Sequence, residues 1–356
     1  MEELTLLDAA EILNIGANTS RRNTNIPCPV CGSGRQKKLN LNFEKNVFRC
    51  NKCGIHGGPL HLWALYRGLS TDDLKAVARD YYQFMGKKEK GNAKVATKPR
   101  TFTNSEMKLA PLDVRNKTYS ALLEQLSLSD SHLENLLKRG LDEATIERNQ
   151  YKSYPQVGLT NITDILIEQG CIVEGVPGFY KNKSGKWCLR HLSSGILIPQ
   201  RDGFGRIQGF QIRLDKSRDC KYITLSTSDY DCGAKGVANP HFRMGGKGLR
   251  TVILTEGPLK GDIVSYFTDY SVLAIQGVNI IYNLRNAIED LKEAGMEELM
   301  IAFDMDWKKN PYVKKALINI KELLTELEVM FSTLDWDENY KGLDDYLLYA
   351  VKQKSL

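Results

Sequence analysis

An α+β fold in several domains is what this chain of 356 residues predicts, with a small cysteine-bearing unit first, a mixed α+β segment next and an α/β unit on a parallel sheet last. Three observations carry the prediction. Two C-x2-C pairs, Cys28/Cys31 and Cys50/Cys53, are separated by an eighteen-residue gap. The middle of the chain mixes helical periodicity with short, glycine-punctuated alternating runs, and from residue 250 four apolar strand-like runs alternate with helical patterns.

Composition bounds the rest. With 42% hydrophobic residues the chain can bury a core in two or three domains, and its net charge is +6. No apolar stretch approaches the roughly eighteen residues of a membrane span, and "MEELTLLDAAEIL" reads as an acidic helix rather than a signal peptide, so a cytoplasmic protein without a membrane partner is expected. Of the eight cysteines, four form the close pairs and four are scattered, which in a reducing compartment suggests a metal site rather than a disulfide framework.

The first unit is placed at 1–85. Each cysteine pair sits on a tight turn that lets two thiolates grip one face of a tetrahedral ion, with Gly32 and Gly54 just after, and "KLNLNFEKNVFRC" alternates as a hairpin. Cys28, Cys31, Cys50 and Cys53 are therefore expected to hold a structural Zn²⁺ in a zinc ribbon. Residues 18–53 carry eight Lys or Arg against the single acid Glu44, a positive field suited to a polyanion, and Phe43, Phe48 and Trp63 are candidate stacking platforms for unpaired bases. The polar, basic segment 86–110 reads as a flexible linker.

Residues 111–248 form the mixed α+β segment. "IPQRDGFGRIQGFQIRLDKSRDCKYITLS" predicts a bent hairpin carrying Arg201, Arg206, Arg213, Lys216, Arg218 and Lys221, with Gly203, Gly205 and Gly209 allowing the turn and a kink. Such a cationic row suits a nucleic-acid backbone and nucleotide phosphates, and Lys235 in a glycine-rich loop suits phosphate approach.

Residues 249–356 read as βαβ units, with strands in "RTVILTEG", "YSVLAIQG", "EELMIAFDMD" and "LEVMFSTLDWD" and helices at about 257–267, 284–294, 309–327 and 343–352. Ligands of an open parallel sheet collect beyond its strands' carboxyl ends, where this sequence puts Glu256, Asp304, Asp306, Asp335 and Asp337. Carboxylates gathered at one edge repel each other unless cations neutralise them, and their hard oxygens favour Mg²⁺ or Mn²⁺. Asp344 and Asp345 are open between metal contact and helix N-terminal acids.

In this order the pieces resemble the DnaG-type bacterial primases and their phage and mobile-element relatives. The ribbon is similar to the primase zinc-binding domain, "LIPQRDGFGRIQGFQIRL…KYITLS" to the basic motif of its RNA-polymerase domain, and "KRGLDEATI" to the helix opening that domain. "VILTEGPLKGDIV" and "IAFDMD" resemble the acidic motifs of the TOPRIM fold. The resemblance implies a DNA primase, a nucleotidyltransferase making short RNA primers on single-stranded DNA from nucleoside triphosphates, with a separate replicative helicase as a further partner. It implies catalytic roles for Glu256, Asp304 and Asp306, and nucleotide or nucleic-acid contacts from Arg201, Arg213, Lys221, Tyr222, Lys235 and Lys260. This chain departs from the family with Lys260 where an acid is usual and Met305 between the paired aspartates. The alternatives are a TOPRIM nuclease or topoisomerase-like enzyme, against which the missing P-loop pattern counts, and a non-catalytic single-strand-binding replication adaptor.

Overall fold

The computed structural model describes residues 4–32, 37–71, 73–88, 108–216, 221–277, 283–308 and 310–354, the side chains of 85–88, Asp306, 311–312 and 354 excepted. The chain forms two compact units, Met1–Asn104 and Ser105–Leu356. Most of the expected linker lies outside the described residues, as do Arg35 and Arg218. No described helix is long and apolar enough to cross a membrane.

In the first unit, α1 (Leu6–Ile12) starts at a capping box in which Thr5 and Asp8 satisfy each other's backbone N–H groups. An antiparallel sheet follows, ordered β1 (Asn23–Ile26), β2 (Leu39–Asn42), β3 (Val47–Cys50) and β4 (His56–Gly57). The register Leu39↔Cys50 and Leu41↔Phe48 puts these four side chains on one buried face and leaves Val47 and Arg49 on the exposed one. Two helices, α2 (Pro59–Arg67) and α3 (Leu74–Lys88), close the core, which is centred on Trp63 with Leu6, Ile26, Leu41 and Phe48. The Trp63 indole N–H donates to Asp80 at 2.7 Å. Phe48 and Trp63 are fully buried and Phe43 packs on their cluster, so these rings are core rather than stacking platforms; their apolar area stabilises more against each other than in solvent.

The second unit begins with α4 (Leu112–Glu124), α5 (Asp130–Lys138) and α6 (Glu143–Asn149), followed by β5 (Lys152–Ser153), α7 (Leu159–Glu168) and the hairpin β6 (Phe179–Lys181) and β7 (Trp187–Leu189). The bent basic hairpin is β8 (Gly195–Arg201) and β9 (Ile207–Leu214), with a bulge at Gln200/Arg201, and β10 (Tyr222–Thr224) extends it into an antiparallel sheet ordered β10-β9-β8-β5. Phe210 and Ile212 point into the core under α4. The alternate residues, Gln211 and Arg213, share the opposite face with Tyr222 and Thr224, their register partners.

The C-terminal part carries β11 (His241–Arg243), β12 (Thr251–Glu256), α8 (Pro258–Thr268), β13 (Ser271–Ile275), α9 (Leu284–Glu293), β14 (Glu298–Ala302), a 3₁₀ turn at Met305–Lys308, α10 (Pro311–Glu326), β15 (Met330–Thr333) and α11 (Leu343–Lys354). The sheet runs β11-β13-β12-β14-β15, parallel throughout except for β11. One face packs on α9 and α10, where Val313, Ala316, Leu317, Ile320 and Leu324 are buried as their spacing predicts. Ile253, Val264, Val272, Met305 and Trp336 fill the other side with α8 and α11. There α8 lies so close to the sheet that a Cβ on Gly261 would stand 2.8 Å from that of Ala274.

Candidate functional site

The four predicted cysteines meet. Their sulfurs all lie within 4.8 Å of one another, with Cys28–Cys53 and Cys31–Cys50 both at 3.8 Å. A tetrahedron with Zn–S of about 2.3 Å has edges of about 3.8 Å, so the set fits a structural zinc ion. Burial pushes the Cys53 thiol up to about 12, against the backbone N–H of Ile55; a bound cation reverses that by favouring the thiolate. Among the described residues this is the single cluster of three or more such ligands at that spacing.

The second constellation lies at the carboxyl ends of β12 and β14. Glu256 closes β12, and Gly257 (φ 83°) turns the chain into α8, so that Lys260 comes back over the sheet rim one helical turn on. Asp304 follows β14 and is buried. Its Oδ1 accepts from the Lys260 ammonium at 2.5 Å and its Oδ2 faces Lys341 at 3.5 Å. Asp344, in the first turn of α11, is also buried, and its Oδ1 has no hydrogen-bond partner among the described residues. All three groups converge on Gly342, where an added Cβ would stand 2.3 Å from Asp344 Oδ1, 3.1 Å from Lys260 Nζ and 3.4 Å from Asp304 Oδ1. Burial pulls Lys260 down, but Asp304, Asp344 and Glu256 outweigh it and hold the ammonium above its ordinary pKa. Burial raises the Asp344 carboxyl, Lys260 opposes, and Asp345 and Asp304 add to the rise.

Two expected members stand elsewhere. Asp335 is exposed and pairs with Lys308 at 3.1 Å, and Asp337 is exposed and closes its own turn on Asn339. The reason is that β15 ends at Thr333, so the acids fall on a surface loop rather than at the strand's mouth. The Asp306 side chain lies outside the described residues.

A cavity of about 180 Å³ opens beside this rim, lined by Glu256, Gly257 and Lys260 from one sheet and by Gln211 and Tyr222 from the hairpin sheet. Thr224 donates to Gln276 across it at 2.7 Å. Three buried polar atoms around it, Gln211 Oε1, Arg213 Nε and Gln276 Nε2, have no hydrogen-bond partner among the described residues. Arg213, burial and Arg139 together pull the Lys221 ammonium below its ordinary pKa, against Asp345. Mutually repelling cations beside unsatisfied donors suit an anionic ligand.

The other predicted contacts are placed differently. Arg201 is engaged inside the protein: its guanidinium donates to Gly205 O at 2.9 Å and to Gln150, and its backbone N–H to His241 Nδ1 at 2.9 Å. Lys235 is exposed on the loop after β10, and Lys260 is committed to Asp304 rather than presented to solvent. Sequence reasoning missed Arg139, Asp344's convergence on Asp304, and a fully buried network in which Asp262 accepts from Tyr151 at 2.5 Å, Arg243 at 2.8 Å and His241 at 3.0 Å. These partners hold the Asp262 carboxyl far below the usual range despite its burial.

A cysteine-clustered ribbon unit and an α+β unit with a parallel sheet together define the class: a zinc-ribbon protein with a polymerase-type catalytic fold. More particularly, the fold is that of the zinc-binding and RNA polymerase domains of DnaG-type primases. The crystal structure of the Aquifex aeolicus primase with both domains matches with a TM-score of 0.54 and 16% identity, covering 94% of this chain and 77% of that one. A DNA primase domain from Pseudomonas aeruginosa (TM-score 0.49, 17% identity, 67% of this chain and 75% of that one) and the RNA polymerase domain of Mycobacterium tuberculosis primase DnaG (0.48, 17%, 68% and 84%) are more distant and add nothing to the assignment. A family model described as a domain of unknown function (DUF3854) matches residues 248–354. No curated protein sequence matches the chain.

Proposed function

We propose that this protein is a DNA primase of a phage, plasmid or other mobile element, synthesising short RNA primers on single-stranded DNA by metal-dependent nucleotidyl transfer. The observation that carries the reading is the cleft in which the carboxylate rim of Glu256 and Asp304 faces Gln211, Tyr222 and the Arg213/Lys221 cations. The unpartnered Asp344 oxygen and the hard donor set suit one Mg²⁺ or Mn²⁺ at this TOPRIM-like rim, with Asp306 a further ligand. Such an ion, when bound, neutralises charge on a triphosphate and lowers the pKa of an attacking hydroxyl.

The chain's own groups would then divide the work. Arg213 and Lys221 attract triphosphate or template phosphate, and the cavity's size and unsatisfied amides suit part of a nucleotide. Tyr222 offers a ring edge to a base or sugar. The basic ribbon unit, with Arg21, Lys37, Lys45, Arg49 and Lys52 exposed, holds single-stranded template by charge.

The test is dinucleotide synthesis on mixed-sequence single-stranded DNA. Asp304→Ala should abolish it with zinc content and fold intact; unimpaired synthesis would defeat the reading. The Lys260–Asp304 ion pair favours one rival, a non-catalytic replication adaptor. That rival predicts salt-sensitive DNA binding with no incorporation in Mg²⁺ or Mn²⁺ even for the unmodified chain.

A further inference from the structure

The acidic rim already contains cations, and they belong to the protein. Three described carboxylates, Glu256, Asp304 and Asp344, surround the Lys260 ammonium, which touches Asp304 at 2.5 Å, while Lys341 stands 3.5 Å from the second Asp304 oxygen. Lys260 reaches this place because Gly257 and Pro258 start α8 immediately after β12, so the fourth residue past Glu256 points back over the strand end. The space is fitted to it: Gly342 leaves open the side on which Lys260 Nζ, Asp304 Oδ1 and Asp344 Oδ1 meet.

We propose that Lys260 stands in for a divalent ion, so that this rim binds one ion fewer than it would with an acid at position 260. Several features point the same way. An ammonium is a compact, strongly hydrated point charge, and it occupies the position between two buried carboxylates where a cation is needed to offset their repulsion. A lysine whose purpose was to meet phosphate would not be committed to a buried aspartate, and a lysine that only neutralised Asp304 would not require the neighbouring backbone to be stripped of a side chain. The carboxylate oxygen of Asp344 left without a hydrogen bond faces this same point, which keeps room for a ligand beside the ammonium rather than in its place. The inference rests on the metal-dependent reading above for its catalytic meaning, but its geometry does not.

The experiment counts bound Mn²⁺ by electron paramagnetic resonance on the full, zinc-saturated chain, unmodified and as Lys260→Gln and Lys260→Glu, with thermal unfolding followed with and without Mn²⁺. Lys260→Glu should bind one Mn²⁺ more than the unmodified chain. Lys260→Gln should bind Mn²⁺ at least tenfold more tightly, and should melt lower in metal-free buffer with most of the loss restored by Mn²⁺. One Mn²⁺ on the variant and none on the unmodified chain would support the stand-in role and remove metal-dependent catalysis. Equal counts and affinities in all three proteins, or a melting loss in Lys260→Gln that Mn²⁺ leaves in place, would overturn the inference. Should Lys260→Glu fail to fold, the Lys260→Gln affinity decides alone.

Discussion

Replacing Asp262 by Asn tests whether the buried network, rather than the metal rim, is what this aspartate serves. Its side chain is almost wholly buried and accepts from Arg243 at 2.8 Å, His241 at 3.0 Å and Tyr151 at 2.5 Å, joining β11, α8 and the residue preceding β5. His241 accepts at Nδ1 from the Arg201 N–H, so the neutral ring carries its proton at Nε2 and donates it to Asp262. The amide keeps the shape of the carboxylate but removes its charge and turns an acceptor into a donor among donors. Breaking a buried ion pair while leaving its partner in place costs about 3–5 kcal/mol. For a unit of this size that corresponds to a fall in Tm of about 6–20 °C. The assay is guanidinium unfolding followed by far-ultraviolet circular dichroism, with calorimetry to isolate the transition of the second unit. Because the folded carboxyl lies far below its ordinary range, the unfolded chain takes up more protons in acid. Asp262 therefore stabilises above the unfolded pKa of about 3.9, and its contribution fades as pH falls below that. The variant should show a correspondingly flatter acid limb. A loss under about 1 kcal/mol, or a loss that Mg²⁺ restores, would refute the structural assignment.

Two further outcomes follow from the same geometry. Removing metal from the Cys28/Cys31/Cys50/Cys53 cluster with a strong chelator should unfold the first unit, read as exposure of Trp63 fluorescence, and leave the second unit's melting unchanged; an unmoved Trp63 signal would contradict a structural zinc. Gly342→Ala should cost about 1–3 kcal/mol by overpacking and weaken Mn²⁺ binding, since its Cβ would sit 2.3 Å from Asp344 Oδ1; wild-type stability and Mn²⁺ affinity together would show that the cluster is looser than described.

Much of this molecule was legible in its sequence where chemistry is local. The doubled C-x2-C spacing placed four thiols in one cluster, because each pair is held by its own turn and the pairs by one hairpin. The 3.6-residue spacing of Val313 to Leu324 found the buried face of α10, and the apolar runs found four parallel strands. What depends on distant partners was not legible. Lys260 and Asp304 are 44 positions apart, and nothing in "GPLKGD" says that the lysine turns inward. Asp335 and Asp337 repeat the pattern of Asp304, yet β15 stops short and they face solvent. Phe48 and Trp63 beside basic residues read as stacking platforms until the ribbon's register buries them. β11, three residues long and antiparallel, gave no periodic signal.

The most direct measurement is a crystal structure of the chain with Mn²⁺ and a non-hydrolysable nucleoside triphosphate, with manganese located by anomalous scattering. The account predicts manganese bound by Glu256 and Asp304 with the triphosphate reaching toward Arg213 and Lys221. Manganese on Asp335 and Asp337, or a triphosphate bound outside this cleft, would contradict it.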